Sequence, residues 1–85
     1  MSKNVIIVGD KDNNDDTCIQ GSPNVFINNK AIVRQNDKDN NGSGDNAIAT
    51  TTNIFVNNLL IIVDGDQDSN HDNKIHTQTT VFVGP

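Results

Sequence analysis

The chain uses one short pattern three times. Ser22-Pro23-Asn24-Val25-Phe26-Ile27-Asn28-Asn29 is matched by Thr51-Thr52-Asn53-Ile54-Phe55-Val56-Asn57-Asn58, and a truncated copy, Thr79-Thr80-Val81-Phe82-Val83-Gly84-Pro85, follows. A second apolar run ending in Asp also recurs, at residues 5–10, 32–37 and 61–66. Its closing aspartates, Asp10, Asp37 and Asp66, stand 27 and then 29 residues apart. A repeat of this period is one supersecondary unit, which buries its apolar side by stacking on copies of itself or arranging with them around an axis. That constraint points away from an irregular small enzyme fold.

With 85 residues there is room for one domain, residues 1–85. So small a chain has an unfavourable ratio of surface to volume and often relies on a metal, a disulfide or a partner. Cys18 is the sole cysteine, which excludes an intrachain disulfide and leaves a metal or a partner. Met1-Ser2-Lys3-Asn4 leads into only four apolar residues, so no secretory signal is read and synthesis in a cytoplasm is expected. No apolar run approaches the roughly 20 residues of a membrane span. The formal charge is −5, and all eleven acids are Asp. Asp and Asn favour turns, whereas the abundant Val, Ile and Thr favour strands. The acidic balance argues against nucleic acid as a partner. With no Trp or Tyr and three Phe, stacking platforms for bases or sugars are not expected either.

The pattern predicts an all-β fold of five or six short strands. They are placed at 5–8, at 24–27 and 31–34 around Asn28-Asn29-Lys30, at 53–56 and 60–63 around Asn57-Asn58, and at 80–83. Asn-Asn pairs supply the positive φ angles of tight hairpins. Phe26, Phe55 and Phe82 hold one place in the repeat, and alternation turns Val25/Ile27, Ile54/Val56 and Val81/Val83 to the opposite face. Strands apolar on both faces are covered on both, and one cover is expected from another protein. Polar loops at 10–18, 37–46 and 66–74 separate the strands, and each ends at a lone isoleucine: Ile19, Ile48 and Ile75. Their plainest use is as solvated turns and as charges that keep strand edges from aggregating.

Gly21-Ser22-Pro23-Asn24-Val25-Phe26-Ile27-Asn28-Asn29-Lys30 resembles the hallmark segment of the PAAR-repeat family. Ala31-Ile32-Val33-Arg34 stands where that family has Pro-Ala-Ala-Arg and keeps only the arginine. Val8-Gly9-Asp10 and Asp64-Gly65-Asp66 match its Gly-Asp ending, and Gln35-Asn36-Asp37 matches at the aspartate. The resemblance implies a small conical β-structure of three pseudo-threefold repeats. It implies a non-enzymatic, membrane-piercing tip on the trimeric β-helical spike of a contractile tail, such as a phage baseplate or a type VI secretion machine. The protein would then be a virion component, with one copy per spike trimer, meeting the target envelope on contraction. The expected seating surface is Val25, Phe26, Ile27, Ile54, Phe55, Val56, Val81, Phe82 and Val83.

Cys18, His71 and His76 are the only Cys and His residues, and all lie in or beside the loops. A thiolate with two imidazoles suits tetrahedral zinc. The family binds zinc near its apex through histidines and a cysteine, which makes these three the expected ligands, with zinc or iron as the ion. The family pattern commonly has a fourth protein ligand; Asp45, Asp15 or water is open for that place. Calcium is the competing ion: Asp37-Lys38-Asp39-Asn40-Asn41-Gly42 resembles the first half of a calcium loop, although position twelve is Ile48 rather than Glu. A calcium-binding β-solenoid-like module is therefore the alternative function. A small metal-dependent hydrolase, in which the His, Cys and Asp residues activate water, is a further reading from a different class.

Overall fold

The computed structural model describes residues 3–40 and 45–83. Among these there is no helix, and the architecture is all-β with short strands and hairpins. Eight two-residue strands form four antiparallel pairs. Phe26–Ile27 (β3) pairs with Lys30–Ala31 (β4), and Phe55–Val56 (β5) with Leu59–Leu60 (β6). Asn28 and Asn29 have φ of 52° and 67°, and Asn57 and Asn58 have 54° and 68°. Left-handed geometry at both central residues is what a two-residue hairpin on twisted strands requires, and Asn tolerates it best after Gly. Lys30 and Leu59 belong to strands, so both turns are two residues long.

The third hairpin is divided between the chain's two ends. Lys3–Asn4 (β1) pairs with Phe82–Val83 (β8), Lys3 opposite Val83 and Asn4 opposite Phe82. Lys3–Asn4 holds the place of Lys30–Ala31 and Leu59–Leu60 in the other repeats. The final strand predicted at 80–83 is therefore half of a hairpin whose other half lies 79 residues earlier (82 back to 3).

The three apolar runs meet around a pseudo-threefold axis. Isolated bridges join Val5 to Val63, Ile7 to Ile32 and Arg34 to Ile61, closing a triangle. Inside it Ile6 N–H donates to Ile62 O (3.0 Å), Ile62 N–H to Val33 O (3.2 Å) and Val33 N–H to Ile6 O (3.0 Å). Alternation then sorts the side chains into two layers. On one side Val5, Ile7, Ile27, Ile32, Ile61 and Val63 form a core against which Ile54, Val56 and Val83 pack. On the other, Ile6, Val33 and Ile62 pack with Cys18 and Ala47.

Asp10, Asp37 and Asp66 pin each repeat from within. Their Oδ2 atoms accept from the backbone N–H of Ile7, Arg34 and Val63 at 2.8–3.0 Å, all three carboxylates being buried. The second oxygen of Asp66 accepts from Thr50 Oγ1 (2.5 Å), and that of Asp10 from Thr77 Oγ1. Gly21 stands at the equivalent position of the first repeat and has no hydroxyl to give. Arg34 takes over: Nε and Nη2 bind Asp37 at 3.0 Å each, and Nη2 also reaches Gly21 O at 3.2 Å. Arg34 is thus a buried, bidentate counter-ion to Asp37.

Candidate functional site

Two features stand out, one at each side of the triangle. The first is the hairpin side. Phe26, Phe55 and Phe82 are 55%, 58% and 54% exposed, and Val25 and Val81 are exposed beside two of them. The rest of the expected seating set is otherwise engaged. Ile27 is buried in the core, and Ile54, Val56 and Val83 pack against that core. Ile27 is therefore corrected from a surface residue to a core residue, because alternation turns it inward when Phe26 turns outward.

The second feature lies on the axis beyond Cys18 and Ala47. Each loop interlocks with the preceding or following repeat: Lys11–Asp12 (β2) pairs with Lys74–Ile75 (β7), while bridges join Cys18 to Asp39 and Ala47 to Asp68. Asp12, Asp39 and Asp68 are thereby equivalent, and so are Cys18, Ala47 and Lys74. The three buried carboxylates converge, their oxygens lying within 4.8 Å of one another. Asp16, Asp45 and Asp72 extend the set in three further groups of the same tightness: Asp12 with Asp16 and Asp72, Asp16 with Asp39 and Asp45, and Asp45 with Asp68 and Asp72. The result is a ring of six aspartates around the axis.

Lys74 projects its ammonium into that ring and is 1% exposed. Nζ lies 3.2 Å from Asp39 Oδ2, 3.7 Å from Asp68 Oδ2 and 4.0 Å from Asp12 Oδ2, so only the first is a hydrogen bond. Burial acts to lower the Lys74 pKa, but the Cys18 sulfur and the Asp39 and Asp68 carboxylates outweigh it and hold the pKa above the ordinary lysine value. Asp12 is pushed up by burial, with Asp68 beside it adding to the rise against its own turn's N–H groups. Asp68 feels the same burial, yet the N–H groups of Asp72 and Asn70 and the Lys74 charge hold it below the ordinary value. Each Oδ1 serves its own turn: Asp12 accepts from Asn14 and Asp16 N–H, and Asp68 from Asn70 and Asp72 N–H, at 2.8–3.0 Å. Asp12 Oδ2 and Asp68 Oδ2, facing the axis, are buried with no hydrogen-bond donor.

The expected zinc ligands do not come together: Cys18, His71 and His76 form no group with ligand atoms within 4.8 Å of one another. Cys18 is buried under the ring, and burial pushes its thiol up to about 11. His71 is exposed with φ 67°, the turn position that Asp15 (φ 66°) fills in the first loop. His76 lies at the rim, where its Nδ1 and backbone N–H both meet Asp64 Oδ1 at 2.9 Å. A set spread over core, tip and rim does not fit one tetrahedral ion. Of the proposed fourth ligands, Asp45 belongs to the aspartate ring and Asp15 pairs with Lys11 on the surface. The calcium-like stretch is divided too: Asp37 holds Arg34, Asp39 faces the axis, and Asn41 and Gly42 lie outside the described residues.

Sequence reasoning missed Lys74 and the ring, although both left a signal. Asp10-Lys11-Asp12, Asp37-Lys38-Asp39 and Asp66-Gln67-Asp68 repeat an Asp-x-Asp pattern, and Cys18, Ala47 and Lys74 each precede the lone isoleucine. Among the described residues no pocket opens beside the ring. No family model matches the chain, and a search of curated proteins finds no match.

Proposed function

We propose that this protein is a structural tip that caps a trimeric β-helical spike of a contractile tail or injection machine, one copy per trimer, and meets the target envelope when the tail contracts. The observation that carries this reading is the threefold placement of Phe26, Phe55 and Phe82, each more than half exposed on the hairpin side of a closed pseudo-threefold fold. Three like apolar groups around an axis suit a partner with three identical chains. Apolar contacts are not directional, so approximate symmetry suffices. Burying a fully exposed Phe is worth about 1.5–3 kcal/mol; a little over half of each ring is still exposed, so covering all three contributes roughly half of three such terms before the costs of association. The interlocked loops supply a stiff body, and the ring of aspartates lies on the side away from the anchor. On this reading the protein is not an enzyme and works in the virion.

The test is native mass spectrometry of the chain mixed with the trimeric β-helical end of the spike from the same particle. One chain per trimer is expected, and Phe55→Asp should abolish the complex while leaving the free chain folded. Three chains per trimer, or unchanged binding by the Phe55→Asp variant, overturns the reading.

A further inference from the structure

We infer that Asp12 and Asp68 hold one proton between them on the axis, carried on Asp12 Oδ2 and donated to Asp68 Oδ2, so that a pH-sensitive hydrogen bond ties the first loop to the third. The atoms that meet there carry this. Oδ1 of each side chain already accepts two backbone N–H groups of its own turn, at 2.8–3.0 Å. Oδ2 of each faces the axis, and the two side chains stand within hydrogen-bonding reach of each other. Ionised carboxylates only accept, so a hydrogen bond between two of them requires a proton on one. Among the described residues neither Oδ2 has a hydrogen-bond donor, since the Lys74 ammonium stands 4.0 Å from one and 3.7 Å from the other.

The charge balance asks for the same proton. Asp12, Asp39 and Asp68 are all buried, and fully ionised they would set three negative charges against one ammonium. Uncompensated buried charge is costly, and carboxylates this close suppress one another's ionisation. The off-centre ammonium decides which side chain keeps the proton. It hydrogen-bonds Asp39 at 3.2 Å, lies nearer to Asp68 and is farthest from Asp12. Asp12 gains least from the cation and is therefore the acid of the pair. Burial pushes Asp12 up, whereas Asp68, under the same burial, is held down by the N–H groups of Asp72 and Asn70 and by the Lys74 charge.

The surroundings act in the same direction. Asp16 belongs to the same turn, Asp39 and Asp45 come from the second loop, Asp72 and Lys74 from the third, and Cys18 lies beneath. Lys74 is the one cation in that set, and the other ring members are acids that favour a retained proton. A carboxyl whose folded pKa is raised gives its full stabilisation below the unfolded value of about 3.9 and loses it as pH rises through the folded value. The tie therefore weakens with rising pH, at the place where Lys11–Asp12 pairs with Lys74–Ile75. The inference stands apart from the spike-tip reading, since neither the hairpin side nor a partner enters it.

The experiment is a pH titration of the side-chain carboxyl carbons of the isotope-labelled native chain by NMR. The Asp12 carbon is expected to keep its neutral-acid position above the ordinary aspartate midpoint of about 3.9 and to shift only at higher pH, with a linked inflection at Asp68. Ionisation of Asp12 at or below about 3.9 overturns the inference, as does a raised midpoint at Asp68 with a lowered one at Asp12. Two variants add a readout in unfolding midpoint at neutral pH. Asp12→Asn sets a permanent N–H donor where the proton sits and should match or exceed the native chain. Asp68→Asn leaves the remaining charge on the side chain farthest from the ammonium and should lower the midpoint. An equal loss from both overturns the assignment, and the titration of the native chain decides alone should either variant fail to fold.

Discussion

Cys18 shows how one position can hold three different residues because each solves a different local problem. Its equivalents are Ala47, which only fills space, and Lys74, which reaches the axis. A thiol pushed up to about 11 by burial stays protonated at neutral pH, so native Cys18 should resist alkylation at pH 8 and react at once after denaturation. Cys18→Ala places at residue 18 the side chain that residue 47 already has. Its cost should be about 1 kcal/mol, near one buried methylene, rather than the several expected of a lost zinc ligand. Chemical denaturation of the two proteins measures it. Arg34 is the opposite case. Arg34→Met removes both hydrogen bonds to the buried Asp37 and should destabilise the fold by roughly 3–5 kcal/mol. The Asp64–His76 pair adds a smaller, pH-dependent contribution. Burial pushes Asp64 up, but the His76 ring and N–H outweigh it and hold the carboxyl below its ordinary value. A depressed carboxylate stabilises the fold above its unfolded pKa of about 3.9, and that contribution is lost as pH falls through the folded value. The Asp64 side chain is 38% exposed, so the effect is modest. The difference in unfolding midpoint between the native chain and Asp64→Asn should be present at pH 6 and shrink as pH falls below about 3.9.

At the scale of elements, the hairpins were legible in the sequence and the axis was not. Asn28-Asn29 and Asn57-Asn58 announce tight turns because few residue pairs tolerate left-handed geometry at both positions, and the structure places them there. Asn58→Val should cost roughly 1–2 kcal/mol, since a branched side chain at φ 68° is strained, whereas Asn58→Gly should be nearly neutral; thermal unfolding separates them. Phe26, Phe55 and Phe82 were also read correctly as one equivalent face. Lys74 was hidden because lysine is seldom fully buried without a partner, and its partners come from three loops far apart in sequence. The aspartate ring was hidden for a related reason. Asx turns account for one oxygen of Asp12 and of Asp68, which makes the loops read as ordinary solvated turns while the other oxygen points inward. The histidines misled because rarity looks like chemistry. His71 holds a left-handed turn position that favours Asn, Asp and His, and His76 bonds the nearest carboxylate.

For the whole molecule, closure depends on the two ends. Without the pairing of Lys3–Asn4 with Phe82–Val83, Val5 N–H loses its acceptor on Val81 and one side of the triangle lies open. Deleting residues 79–83 should therefore abolish cooperative unfolding rather than trim it, a difference that calorimetry detects directly. A circular permutant that joins the two ends through a short linker and opens between Asn28 and Asn29 should fold with the same strand content, because it only moves the break from one hairpin to another. The position of that break also decides where a passenger can ride. Polypeptide fused ahead of Lys3 or after Val83 would leave the body beside Phe82, crowding the apolar face, whereas a passenger grafted into the exposed turn at 69–71 would travel at the opposite pole and leave that face clear.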